Sequence, residues 1–491
     1  MATNESKPKA ASSHATQLVR LMIKNGAELF HAPDGRAYAT VPVGSHRETM
    51  NLAGSAAREY LAREYFRVKK NAVSAAAIKD ALTILSGSAL LHGAERVVYT
   101  RIARLDQTIW IDLGRPEWNA VKVTADGWEI VASPDVRFRR NRGLLALPLP
   151  ERTDTPLSDL LLRVVNVHQD NTRDVRLLTA WLVGAVRGVP PYPILLINGE
   201  HGTAKSTACR TIRRILDPNT ADLRLTPKEP RDLMIAAINS HVLAFDNLSA
   251  IPEWLSDALA QIATGGGFST RELHSDNDEV LFSAAKPILM NGITDVITRP
   301  DLLDRSLVVT LEPIADADRR RESELDATFT ALHPLLLGAL LDAVSAALKH
   351  EPATLLDRLP RMADFAVWVT AAERALGWES GAFLSAYFEN RQTAVENALD
   401  GDVVVETLRS LGETWSGQLK ALLDLIPFSE YKPKTPKALG NVLRRKAPAL
   451  RQIGITVEFQ RSNGISTVTV QKANRERLPF DERATAVEAV M

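Results

Sequence analysis

Ile194-Leu195-Leu196-Ile197-Asn198-Gly199-Glu200-His201-Gly202-Thr203-Ala204-Lys205-Ser206-Thr207 is the stretch that decides the fold. Four aliphatic residues without polar alternation describe a strand buried on both faces, as in a parallel sheet. Gly199 opens a tight loop, and Lys205 and Ser206 stand at the head of a helix carrying Ile212, Ile215 and Leu216. In this order, loop N–H groups and the partial positive charge of the helix end converge on one spot, where a β- or γ-phosphate of ATP can sit. Lys205 adds a formal charge there, and the Ser206 hydroxyl is a ligand for Mg²⁺. Gly199, Glu200, His201, Gly202, Thr203, Ala204, Lys205, Ser206 and Thr207 are therefore the expected nucleotide-binding residues. The strict pattern has glycine before the lysine; Ala204 stands there instead, which a negative φ would accommodate. The plain alternative is a glycine-rich turn with a chance Lys-Ser pair.

A chain of 491 residues has room for about three domains. With 45% hydrophobic and 24% charged residues, its balance is that of a globular protein with sizeable cores. Lys+Arg and Asp+Glu both count 59, so no global field draws the chain to nucleic acid, and such binding must come from local patches. One cysteine, Cys209, excludes an internal disulfide and a zinc cluster and fits the cytoplasm. We read no apolar run of membrane-spanning length and no signal peptide, so no membrane partner is expected. Met1 to Thr16 is polar and reads as a disordered arm.

The residues after the arm read as α+β. A short helix, Gln17 to Gly26, leads into a hairpin turned at Pro33-Asp34-Gly35. Helices follow at Ser55 to Lys69 and Ser74 to Leu85, then strands at Arg96 to Ala103, Thr108 to Asp112, Ala120 to Val123 and Trp128 to Val131. Arg137, Phe138, Arg139, Arg140 and Arg142 form a basic cluster around an aromatic, which can clamp phosphates, be a solvated edge or meet another subunit. Leu147-Pro148-Leu149-Pro150 reads as a linker.

Beyond the phosphate loop, His241-Val-Leu-Ala-Phe-Asp246-Asn247 is an apolar strand ending in a carboxylate, about 40 residues after the loop, where Asp246 can hold the Mg²⁺ shell. Pro287-Ile-Leu-Met-Asn291 is a second such strand; its amide can orient an attacking water, or simply initiate the turn at Gly292. Arg299-Pro-Asp301-Leu-Leu-Asp304-Arg305 precedes a third strand, Leu307 to Leu311. Arg305 can reach a neighbouring subunit's nucleotide, or pair with Asp301 or Asp304.

These motifs, with Thr264-Gly-Gly-Gly267, together resemble the AAA+ ATPases of phages and integrated mobile elements: MCM-like replicative helicases and the helicase halves of phage primase-helicases. The resemblance is specific over Pro150 to Glu312. It implies a homo-oligomeric, hexameric ring with ATP between subunits, in which Lys205, Ser206 and Asp246 act in cis, Asn291 is a sensor and Arg305 is the finger in trans. It also implies a channel-facing hairpin, Phe268 to Ala284. Two features depart from the pattern. Asn247 stands where many motors place a glutamate base, leaving Glu229, Glu253 and Asp257 as unranked candidates. The hairpin tip, Ser275-Asp-Asn-Asp278, is acidic, so Arg271, His274 and Lys286 on its stems are the expected DNA contacts.

From Ile314 the chain reads as helical: Arg319 to Leu332, Leu335 to Lys349, Pro360 to Ala375 and Gly381 to Leu399. Arg361 is either a nucleotide-sensing residue or a capping or surface arginine. Gly401 to Arg475 carries twelve basic against six acidic residues, net +6. A helix from Thr435-Pro436 points Leu439, Val442 and Leu443 inward and shows Lys437, Arg444 and Arg445 on the other face. A hairpin at Ser462-Asn-Gly464 follows. This resembles a winged helix-turn-helix that reads DNA; a partner-binding domain is the alternative.

The expected architecture is α/β. A disordered arm (1–15) and an α+β N-terminal domain (16–150) precede an AAA+ P-loop parallel sheet (151–315) with a helical lid (316–400). A winged-helix C-terminal domain (401–475) and a disordered tail (476–491) follow. The expected function is an ATP-driven, Mg²⁺-dependent DNA helicase or translocase on single-stranded or forked DNA, in replication of a mobile element. The alternatives are a non-unwinding AAA+ initiator, loader or remodeller, and a DNA-binding adaptor with a degenerate nucleotide site. No carboxylate triad for priming is seen before Pro150, so a separate primase is expected.

Overall fold

The computed structural model describes residues 12–248, 251–271, 279–283, 285–292, 300–462 and 465–472. Helix α1 (His14–Lys24) is capped by Ser13, so ordered structure begins inside the stretch read as an arm, while residues 1–11 lie outside the described ones. The hairpin is β1 (Glu28–His31) and β2 (Ala37–Val43), with Glu28 opposite Thr40. A strand absent from the sequence reading, β3 (His46–Asn51), continues it; its His-Arg-Glu-Thr start carries no apolar signal. Helices α2 (Ser55–Lys69) and α3 (Ala75–His92) cover this sheet, and β4 (Ala94–Glu95) completes the order β3-β2-β1-β4. Leu18, Met22, Val41, Leu61 and Leu85 form its separate core.

A second sheet is a meander of β5 (Ile102–Leu105), β6 (Thr108–Asp112), β7 (Ala120–Thr124) and β8 (Gly127–Val131). Next come α4 (Leu157–Leu162), α5 (Thr172–Ala185), β9 (Ile194–Gly199), α6 (Lys205–Leu216), α7 (Pro230–Asn239), β10 (Leu243–Leu248) and α8 (Glu253–Thr264). The antiparallel pair β11 (Gly267–Arg271) and β12 (Glu279–Ser283) is followed by β13 (Ile288–Gly292), α9 (Pro300–Leu303) and β14 (Ser306–Leu311). The third sheet is parallel, in the order β10-β13-β9-β14. Its strands are apolar throughout because both faces are covered. Residues 221–225 contribute only a bridge from Arg224 to Phe245 at the β10 edge.

The meander and the parallel-sheet region share one core. Ile109, Ile111, Leu113, Val121 and Val123 pack in the same cluster as α4, α5, α6 and α10 (Glu322–His350). Leu147 is buried in that cluster, and its N–H donates to Leu113 O, so the Leu-Pro-Leu-Pro stretch is threaded through the core rather than hanging free. Fully buried Arg101 donates to Asp217 at 3.2 Å and to the carbonyls of Asp112, Leu145 and Pro218, tying the meander to the end of α6. The basic cluster makes further ties, to the N-terminal unit, to α7 and within the meander. Arg137 pairs with Glu28, Arg139 donates to Ile238 O, Arg140 pairs with Asp112 and stacks on Trp118, and Arg142 pairs with Glu59.

Two helices expected on either side of Pro334 are one, α10; the proline is accommodated inside it, and its carbonyl accepts the Glu151 N–H. At Gly338 the chain of Glu151 crosses so closely that a Cβ would meet its carbonyl oxygen at 1.7 Å. Contrary to the sequence reading, α10 is apolar and long enough to span a membrane, with a mean hydropathy of 1.7 over its apolar stretch. Here 61% of that stretch is buried inside the protein, which makes it the core's central helix. Helices α11 (Ala363–Ala372) and α12 (Ala382–Leu399) join the same core.

Two buried imidazoles are held neutral here: burial pushes His241, at the head of β10, and His333, in α10, each down to about 4 from the ordinary 6.5. A base whose folded pKa is depressed stabilises the fold fully above its unfolded pKa and loses that contribution as pH falls toward the folded value. Stability should therefore drop between pH 6.5 and 4, by on the order of 3 kcal/mol per ring if the full shift is expressed. Urea unfolding across that range checks it, with His333→Gln expected to remove about half of the slope; a flat wild-type profile would refute it.

The C-terminal region holds α13 (Val403–Ser410), β15 (Thr414–Gln418), α14 (Leu419–Leu425), α15 (Pro436–Gln452), β16 (Ile455–Ser462) and β17 (Ile465–Lys472). Its antiparallel sheet has the order β15-β17-β16, and Leu422, Leu439, Leu443, Val468 and Val470 fill its core. The Asn463-Gly464 turn and the chain after Lys472 lie outside the described residues.

Candidate nucleotide site

The site forms where β9, β13 and β10 end side by side. Because β13 lies between β9 and β10, Asn291 stands between the loop after Gly199 and Asp246. A register shift in β10 between Phe245 and Leu248 marks a bulge, and Asn247 within it takes φ 55°. Such a bulge re-aims a side chain at a strand end. Here Asp246 Oδ1 accepts both Ser206 Oγ at 2.8 Å and Asn291 Nδ2 at 2.7 Å. Asn291 Oδ1 in turn accepts the Asn247 N–H at 2.8 Å, fixing the amide's orientation. The turn-initiating alternative for Asn291 does not describe this side chain, which is buried and doubly bonded.

The loop folds back over the helix end. Lys205 Nζ donates to Gly199 O at 2.7 Å and Glu200 O at 2.6 Å, lying across its own loop. Ala204 has φ 60°, not the negative value its Cβ favours, so the loop carries a left-handed non-glycine residue costing on the order of 1 kcal/mol. His201 through Thr207, with Asp246, Asn247 and Asn291, line an open cleft of about 360 Å³. Gly199 and Glu200 supply the two carbonyls that Lys205 uses. Two residues near the loop carried no sequence signal. Asn166 Nδ2 donates to Thr203 O and Glu312 O, bracing the loop from α4's side, and Arg319 reaches the edge of Gly202. Both act across more than 35 positions, so no local pattern marks them.

Among the described residues no three His, Cys, Asp or Glu cluster as a metal centre. The Ser206 hydroxyl beside the Asp246 carboxylate suits Mg²⁺, a hard ion that takes few protein oxygens and completes its shell with water and phosphate. Cys209, one turn into α6, is inert: burial pushes its thiol up to about 12. Glu229, Glu253 and Asp257 are not among the cleft-lining residues.

Other expected residues lie elsewhere. Arg305 immediately precedes β14, at the opposite end of the sheet: its carbonyl accepts the Ile194 N–H, while β14 reaches Gly199 only at Leu311. Its guanidinium pairs with Asp301, the alternative the sequence left open. Arg361 also pairs with Asp301, and with Asp304, to which Arg391 binds as well. Arg361 is thus grouped with Arg305, away from the cleft of its own chain. Lys286 is half-buried, and desolvation pushes it down to about 8, with Asp217 opposing the fall and Arg139 adding to it. That environment does not suit the DNA contact expected of it. Arg271 ends β11, but its side chain, His274 and the tip Ser275 to Asp278 lie outside the described residues, as does Arg299. Lys437 and Arg444 line one cavity of about 480 Å³ on α15, and Arg445 is exposed beside them.

Two family models match the chain: the actinomycete integrative conjugative element replication protein, over residues 158–392, and the AICE RepA C-terminal domain, over residues 401–483. Together they take in about two thirds of the sequence. No curated protein matches significantly. Among solved structures, an apo form of the NrS-1 C-terminal region is 11% identical, with coverage of 94% of this chain and 100% of that one and a TM-score of 0.41. SCCmec type IV Cch, described as an active helicase, is also 11% identical, with coverage of 91% and 92% and a TM-score of 0.48.

Proposed function

Because the chain belongs to the replication proteins of actinomycete integrative conjugative elements, we propose that it is a P-loop ATPase working as a ring-forming DNA helicase in the element's replication. The observation that carries this reading is the contact of Ser206 and Asn291 with one oxygen of Asp246 at the mouth of the loop. A triphosphate would lie along the N–H groups of the loop, with Lys205 leaving its two carbonyl partners to meet the outer phosphates. Ser206 and Asp246 would hold Mg²⁺, which when bound neutralises phosphate charge. Asn291, fixed by Asn247 and Asp246, would orient the attacking water. Arg305 would be supplied to a neighbour's nucleotide in a hexameric ring. The C-terminal region would act as a winged-helix DNA-binding domain in the cytoplasm, with a separate primase.

Lys205→Ala should lower DNA-stimulated phosphate release about 10²- to 10³-fold, the usual loss for one charge-stabilising group. Near-normal release would remove Lys205 from the site and favour the adaptor reading. A second reading, a non-unwinding initiator, loader or remodeller, is favoured by Asn247 standing where a base is expected. Unwinding of a forked duplex decides between them: ATP turnover without strand separation supports the second.

A further inference from the structure

Between α14 and α15 the chain makes a tight, well-anchored turn that leaves two aromatic rings in water. Ile426 and Pro433 are buried at its ends. Lys432 N donates to Ser429 O, Tyr431 N donates to Ser429 Oγ, and Lys432 Nζ closes the loop onto Ile426 O at 2.6 Å. On this scaffold Phe428 is 98% exposed and Tyr431 86%. Exposed single apolar residues are ordinary, but two rings held outward by a hydrogen-bonded turn mark a contact surface.

Charge specifies the occupant. From Gln418 to Lys446 seven basic side chains stand against two acids, Asp424 and Glu430. Three of the seven, Lys420, Lys437 and Arg444, line the cavity of about 480 Å³ between the starts of α14 and α15. Gly440 opens it, since a Cβ there would press on Leu419 at 3.2 Å. α14 spans about 10 Å and Phe428 stands three residues beyond it, while Tyr431 stands five residues before Pro436, so chain reach keeps each ring within about 20 Å of the cationic cavity.

We propose that this turn and cavity form a binding site for unpaired DNA, in which Phe428 and Tyr431 stack on bases while Lys420, Lys437 and Arg444 hold the backbone. The inference rests on the reading of the chain as a DNA-acting replication protein and adds strand state to it. Stacking requires free base faces, which a duplex hides and a single strand offers. The rings therefore distinguish the two forms, whereas the cations serve both.

The test is binding of the full-length protein to a fluorescein-labelled oligo(dT) and to a hairpin duplex of equal length, at several salt concentrations. Phe428→Ala/Tyr431→Ala should weaken oligo(dT) binding at least about ten-fold and duplex binding less than about two-fold. Lys420→Ala should reduce the salt slope on oligo(dT) by about 0.7. Phe428→Trp should keep the affinity, and its fluorescence should be quenched by oligo(dT). Equal losses on both DNAs, or no loss on oligo(dT), would overturn the proposal. So would a changed oligomeric state with both DNA affinities intact, which would identify the turn as a protein contact. If wild type binds neither DNA, the functional reading falls with it; if Lys437→Glu/Arg444→Glu/Arg445→Glu loses both DNAs while the ring variant loses neither, only this inference falls.

Discussion

Arg305→Ala should bind ATP like the wild type yet hydrolyse it at least about 10³-fold more slowly, the range measured for arginines donated in trans. The geometry keeps Arg305 out of its own chain's cleft. Ser306 is level with Ile194, so Arg305 lies one position further from Gly199, where the loop begins: about 20 Å along the strand, beyond the reach of an arginine side chain. In the proposed ring, the phosphate that Arg305 meets would belong to another subunit. Mixing supplies the check: Lys205→Ala and Arg305→Ala subunits, each inactive alone, should recover part of the turnover together, because composite sites then pair an intact Lys205 with an intact Arg305. Wild-type turnover by Arg305→Ala, or a mixture as inactive as its components, would refute the assignment.

A chain beginning at Glu151 should fail to fold, although Leu147 to Pro150 looks like the place to cut. The cut removes Ile109, Ile111, Val121, Val123 and Leu147 from the core that α10 completes. At about 2 kcal/mol for each fully buried aliphatic, the loss is on the order of 10 kcal/mol, comparable with the whole stability of a domain. It also strips Arg101 from buried Asp217, and a buried charge without its partner costs about 3–5 kcal/mol more. Beginning at Arg96 instead discards α1 to α3, which have their own core, and sacrifices mainly the Glu28–Arg137 and Glu59–Arg142 pairs. Soluble yield and the sharpness of the thermal transition separate the outcomes; a cooperative transition in the Glu151 chain would overturn the shared-core argument.

The parallel sheet was legible because doubly buried strands need no partner to be recognised: aliphatic runs at Ile194, Leu243, Ile288 and Leu307 announce themselves. The same runs end in Asp246 and Asn291, so the centre of the site was readable too. Contacts set by tertiary packing were hidden. Asn166 bracing Thr203 and Arg101 holding Asp217 join residues far apart in sequence, and nothing local to either reveals its partner. The left-handed backbone at Ala204 opposes that residue's intrinsic preference and follows from the loop's closure on Lys205. Lys286 looked like a stem cation because charge was counted without knowing that Asp217 lay beneath it.

Asp301 and Asp304 share three arginines, and Arg305 is one of them. A solitary subunit thus keeps Arg305 sheathed against its own Asp301. Drawing it requires something more negative than a lone aspartate, and a neighbour's triphosphate is such a rival. Catalytic competence would then be a property of filled contacts between subunits, arising as each nucleotide arrives, and free protomers would consume little fuel.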